Sequence, residues 1–116
     1  MKHSNEEQQL DKLIKDAIIN IKSSEFDQAK MRLCDAMLAN DHTPEIHNLL
    51  GIIWELKGFP LIAMRHYRCA YVLDGTYKPA IINMIRCSEG KHKGVDFGIG
   101  FPTFERRLKR NGDRHG

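Results

Sequence analysis

A chain of 116 residues, 41% apolar and 28% charged, has the size and composition of one globular domain, which excludes wholesale disorder and a pair of full-sized domains. No apolar run approaches the ~20 residues that span a bilayer, and the start MKHSNEEQQ is polar and acidic, unlike a signal peptide; the expected location is cytoplasmic. The formal charge of +3 is uneven: up to Lys78 ten basic side chains face eleven acidic ones, and from Arg86 onward eight face four.

A polar segment, residues 1–9, precedes the first apolar stripe. Leu10, Leu13, Ile14, Ala17, Ile18 and Ile21 recur at intervals of three and four and predict an amphipathic helix. SSEF interrupts it, with Ser24 placed to cap a second helix that carries Phe26, Ala29, Leu33, Ala36 and Met37 on one face. Thr43-Pro44 opens a third helix, which runs through Trp54 to a glycine stop at Gly58. Pro60 starts a fourth, ending near Leu73, and Pro79 a fifth, ending near Gly90. Residues 10–90 are therefore expected to form one all-α domain. Residues 91–116 form a glycine-rich, then basic, tail with no helical period.

The helices repeat with an offset of 34 residues. Ala29, Leu33 and Ala36 return as Ala63, Tyr67 and Ala70, and Ala17 returns as Gly51. The run from His47 to Trp54, with Leu50 and Gly51 inside it and Ala63, Tyr67 and Ala70 behind, resembles the tetratricopeptide repeat. Departures are His47 where an aromatic is usual, Gly75 where a proline is usual, and Asp16 and Asn20 in the first copy where Leu and an aromatic are expected. The resemblance implies stacked antiparallel helical hairpins in a right-handed superhelix of about two and a half repeats. Gly51 and Ala63 would then leave room where helices cross, and Tyr67 and Trp54 would fill it.

The same resemblance implies a concave face lined by helices one, three and five. Phasing by the repeat places Ile14, Ile18, Ile21, Leu49, Ile52, Leu56 and Ile82 on it, with Lys15, Asn48, Glu55, Asn83 and Arg86 at its margins. Family members that clamp the terminal carboxylate of chaperones do so with basic and amide side chains, whereas Ile14, Ile18 and Leu49 occupy those places here, and only Asn83 keeps the chemistry. The expected role is a protein-interaction module or assembly scaffold that takes a partner helix or peptide on an apolar groove, without a cofactor. The groove has competing covers: a second copy of the chain in a homo-oligomer, or the tail itself through Val95, Phe97, Ile99, Phe101 and Phe104.

Other readings carry less. Arg106, Arg107, Lys109, Arg110 and Arg114 beside Phe101 and Phe104 give the alternative of a nucleic-acid-associated accessory protein, but the cluster is short and a solvated basic end explains it. His42, His47 and His66 lack the same-face spacing of a metal site, and GVDFGIGFP lacks the strand and the lysine of a phosphate loop. Asp11, Asp16, Glu45 and Glu55 fit solvated helix faces, with no nucleophile near them, so no enzyme is expected. Cys34, Cys69 and Cys87, odd in number and widely spaced, are expected to be buried thiols.

Overall fold

The computed structural model describes residues 2–99, with side chains from residue 5 onward. Among them are five α-helices and no strand: α1 (Lys2–Lys22), α2 (Phe26–Ala39), α3 (Pro44–Leu56), α4 (Pro60–Leu73) and α5 (Lys78–Ser88). α1 packs on α2 and α3 on α4, each pair joined by a short turn into an antiparallel hairpin, and α5 adds to α4. Contacts of α3 with both α1 and α5 make these three an inner layer, with α2 and α4 behind it. Among the described residues no helix is long and apolar enough to cross a membrane.

The turns carry the repeat more clearly than the helices do. α1 ends with Glu25 N–H donating to Asn20 O (2.8 Å) and Ser24 N–H to Ile21 O (2.9 Å); α3 ends with Phe59 N–H to Trp54 O (2.9 Å) and Gly58 N–H to Glu55 O (3.0 Å). Both are the same helix-closing motif, with Ser24 (φ 59°) and Gly58 (φ 92°) in its left-handed position. Ser24 thus closes α1 and does not cap α2, whose cap position is Glu25. Asn40 and Asp74, also 34 residues apart, close α2 and α4 in extended geometry. Each accepts from the N–H two residues on, His42 and Thr76, at 2.9 Å. α5 breaks the phase. Its closing motif, with Lys91 N–H on Arg86 O (3.1 Å), puts Gly90 (φ 74°) in the left-handed position two residues early.

Small residues set the helix crossings. A Cβ on Gly51 would lie 2.5 Å from Tyr67 Cε1 and 3.1 Å from Ala63 O, so the glycine is what admits the fully buried Tyr67 ring. Trp54 packs on the core and edge-on to Phe59, with Lys30 Nζ 4.9 Å and Lys57 Nζ 5.2 Å from its ring. In the first hairpin Asn20 accepts from Arg32 (2.8 Å) and donates to Glu25 (3.1 Å), while Arg32 approaches Asp16 at 3.8 Å. The positions that depart from the repeat pattern thus form a polar brace between α1 and α2.

The polar residues before Leu10 are part of α1 from Lys2 onward, since their Glu and Gln residues are good helix formers. Two expectations are corrected. Cys34 and Cys69 are exposed on the outer helices, and only Cys87 is buried. Glu45 and Glu55, both on α3, are buried, not solvated.

Candidate functional site

The seven residues phased onto the concave face, with Asn83 and Arg86 from its margins, divide into three groups. Ile14, Ile18, Ile21, Leu49 and Ile52 belong to the buried core, so they do not form an open apolar floor. Leu56 and Ile82 remain 45% and 47% exposed at its rim. Asn83 is fully buried, and the Arg86 side chain is 12% exposed. The cover comes from the chain itself. After Gly90 it leaves the helical path, and Val95 and Phe97 of the non-helical segment 91–98 pack against the same core.

Two asparagines hold that segment by its main chain. Asn83 Nδ2 donates to Asp96 O (2.8 Å) while Asn83 Oδ1 accepts from Asp96 N–H (2.7 Å), so one side-chain amide satisfies both peptide groups of one residue. Asn48 Nδ2 adds a second bond to Asp96 O (3.1 Å), and its Oδ1 accepts from Asn83 Nδ2 (2.7 Å). Both asparagines are 0% exposed, and burial of an amide without such partners costs roughly 1–3 kcal/mol. Asp96 turns its own carboxylate onto Gly98 N–H (2.8 Å), bending the segment just past the clasp. Gly98 has φ +79°, and a Cβ there would collide with the Tyr77 hydroxyl. On the opposite side Lys22 Nζ stands 5.2 Å from the Phe97 ring, placing that ring at the end of α1.

Below the clasp, Glu55 gathers charge. Its Oε1 accepts from Tyr67 Oη (2.7 Å) and Arg86 Nη2 (2.8 Å), and its Oε2 from Arg86 Nη1 (2.6 Å) and His92 Nδ1 (2.7 Å). A carboxylate can only accept, so His92 carries its hydrogen on Nδ1. Burial by itself would raise the Glu55 pKa; the hydrogen bonds from Arg86, His92 and Tyr67, with the Arg86 charge, hold it down at about 2. Burial, and then the bond to Glu55, pushes the Tyr67 phenol far upward, and the carboxylate likewise raises Arg86. Arg86 also donates to Asn83 Oδ1 (3.1 Å) and to Lys91 O (2.5 Å), which ties the charge cluster to the clasp and to the start of the segment.

Glu55, Cys87 and His92 each offer one ligand atom, all within 4.8 Å of one another. The Arg86 guanidinium already covers both Glu55 oxygens, and burial raises the Cys87 thiol, so a cation would enter against a fixed positive charge and a protonated sulfur. Elsewhere His47 and His66 stack with 5.7 Å between ring centroids and Nδ1 atoms 3.4 Å apart. Burial depresses both pKa values, that of His66 further through His47, as suits a pair in which one neutral ring donates to the other.

Ile99 is 64% exposed and takes no part in the cover. Phe101 and Phe104, with the basic cluster from Arg106 to Arg114, lie outside the described residues. Asn48, Asn83, Glu55 and Arg86, expected at the groove margins, are the polar core of the site; the residue pattern singled out Asn83 and Arg86 but missed Asn48 and Glu55, while Lys15 is exposed. A signal was present. A glutamate inside GIIWEL and an asparagine inside AIINMI, in apolar surroundings and phased inward, ask for buried partners. No family model matches the chain, and neither curated proteins nor solved structures gave a match.

Proposed function

We propose that the chain is a protein-interaction module of the tetratricopeptide type, whose inner helices receive a segment of another polypeptide. One observation carries this reading: two fully buried asparagines on α3 and α5 spend their amides on the main chain of a single non-helical residue. Main-chain hydrogen bonds with apolar side chains on either side are a general means of holding a peptide. The 34-residue recurrence of turns and crossings supports the repeat assignment, and the inner layer α1, α3, α5 supports the location.

Leu56 and Ile82, exposed at the rim, allow a test that leaves the core intact. A photo-crosslinking residue at either position should capture partner proteins, and the same group at Leu38 or Val72, exposed on α2 and α4, should not. Equal capture from both faces would remove the groove from the function. Ile18→Glu or Ile52→Glu would be a poor test, since each buries a charge in the core and unfolds the face it is meant to probe.

A further inference from the structure

We infer that residues 91–98 are an internal ligand of the inner face, and that the external ligand competing with them is a non-helical peptide patterned apolar-aspartate-apolar-glycine, as in Val95-Asp96-Phe97-Gly98. The inference rests on the peptide-binding reading above and adds to it the chemical class of the ligand and the cover that it must displace.

Each element of the pattern has a cause in the structure. At the second position the asparagines hold only the N–H and C=O of Asp96, while its carboxylate accepts from Gly98 N–H (2.8 Å) and sets the bend, which asks for aspartate there. The first and third positions are apolar because Val95 and Phe97 are the side chains that pack on the core. The fourth is glycine because of its left-handed φ and the Tyr77 hydroxyl beside it. Nothing in these contacts depends on the segment belonging to the same chain. What the covalent link supplies is concentration: Asp96 follows the end of α5 at Ser88 by a few residues, and short tethers give effective concentrations of order millimolar. An external peptide with the same contacts therefore meets an occupied face, and its apparent affinity falls by the fraction of molecules in which the segment is released.

The internal segment can be weakened without touching a helix. Full-length protein carrying Val95→Ser and Phe97→Ser keeps all of α1–α5, and its helical circular dichroism should match the wild type. The probe is a fluorescein-labelled nine-residue peptide with the sequence of residues 91–99, followed by anisotropy. The weakened variant should bind it at least tenfold more tightly than the wild type. Asn48→Ala added to that variant, or Gly98→Ala in the peptide, should each cost tenfold or more. Equal affinity of wild type and weakened variant, or binding indifferent to Asn48 and to the glycine, would overturn the inference.

Should the weakened variant lose its helical signal, the wild type supplies the second measurement. Excess peptide should speed hydrogen exchange at the Asp96 amide, which donates to Asn83. Unchanged exchange at saturating peptide refutes competition. A wild-type dimer in which the segment crosses to the second copy would also overturn it, by making that copy the occupant. Rim crosslinks to partners with no peptide binding by the variant would sink the ligand class and leave the protein-binding reading standing.

Discussion

The α1 wall of the inner face meets the returning segment with an apolar surface, whereas the α3–α5 wall adds a polar network to its own apolar residues, Leu49 and Ile52. α1 contributes Ile14, Ile18 and Ile21 to the core, with one ammonium, Lys22, over Phe97. α3 and α5 contribute Asn48, Glu55, Asn83 and Arg86, joined in one hydrogen-bonded network that reaches Lys91, His92 and Asp96. The contrast separates two tasks. An apolar wall supplies area and accepts many shapes, whereas a buried amide network is favourable only when every member is satisfied, and so fixes where the chain lies.

Breaking the polar wall at its hub should have the largest effect. Glu55→Gln leaves the Arg86 guanidinium, 12% exposed, without a counter-charge and is expected to lower stability by about 3–5 kcal/mol in urea unfolding. The same variant should alter acid sensitivity. Because the folded-state pKa of about 2 lies below the ordinary 4.5, the Glu55 contribution is complete above pH 4.5 and is lost as pH falls toward 2. The slope of stability against pH in that window should flatten in Glu55→Gln, and an unchanged slope would place the acid sensitivity elsewhere.

Next in size is Gly51→Ala, which tests how closely α3 must sit on α4 to admit the Tyr67 ring that bonds Glu55. Its Cβ meets the Tyr67 ring and the Ala63 carbonyl, and overpacking of this kind costs about 1–3 kcal/mol, read as a lower melting temperature. Asn83→Ala sharpens the comparison at the clasp itself. It should cost about 1–2 kcal/mol and abolish protection of the Asp96 amide from hydrogen exchange while helix amides stay protected. The smallest effect belongs to the apolar wall. A double-mutant cycle of Lys22→Gln with Phe97→Leu should return a coupling of about 0.5–1 kcal/mol; zero coupling would mean that the ammonium only neutralises the end of α1.

Much of the fold was legible in the residues. The stripe from Leu10 to Ile21 is α1's buried face, Thr43-Pro44 and Pro60 stand where α3 and α4 start, and Gly58 and Gly90 are the turns expected of them. Boundaries failed where signals compete. Ser24 is a good cap by composition, yet the hydrogen bonds that close α1 put it in the left-handed position and leave the cap to Glu25. The site was legible only as a list. Phasing selected residues on the inner face, but it could not rank them, because an aliphatic and an amide at equivalent positions share a direction and differ only in what they find there.

What the sequence by itself determined is the helical period, the 34-residue recurrence and the small residues that let helices approach, since these follow from local geometry and side-chain size. What only the tertiary structure decided is that α5 closes two residues short of the repeat phase and that the chain then turns back across the inner face. That return depends on partners far apart in the chain, Asn48 with Asp96 and Glu55 with His92, whose pairing no local pattern encodes. The buried amides and the buried carboxylate are stable because the returning segment completes their hydrogen bonds.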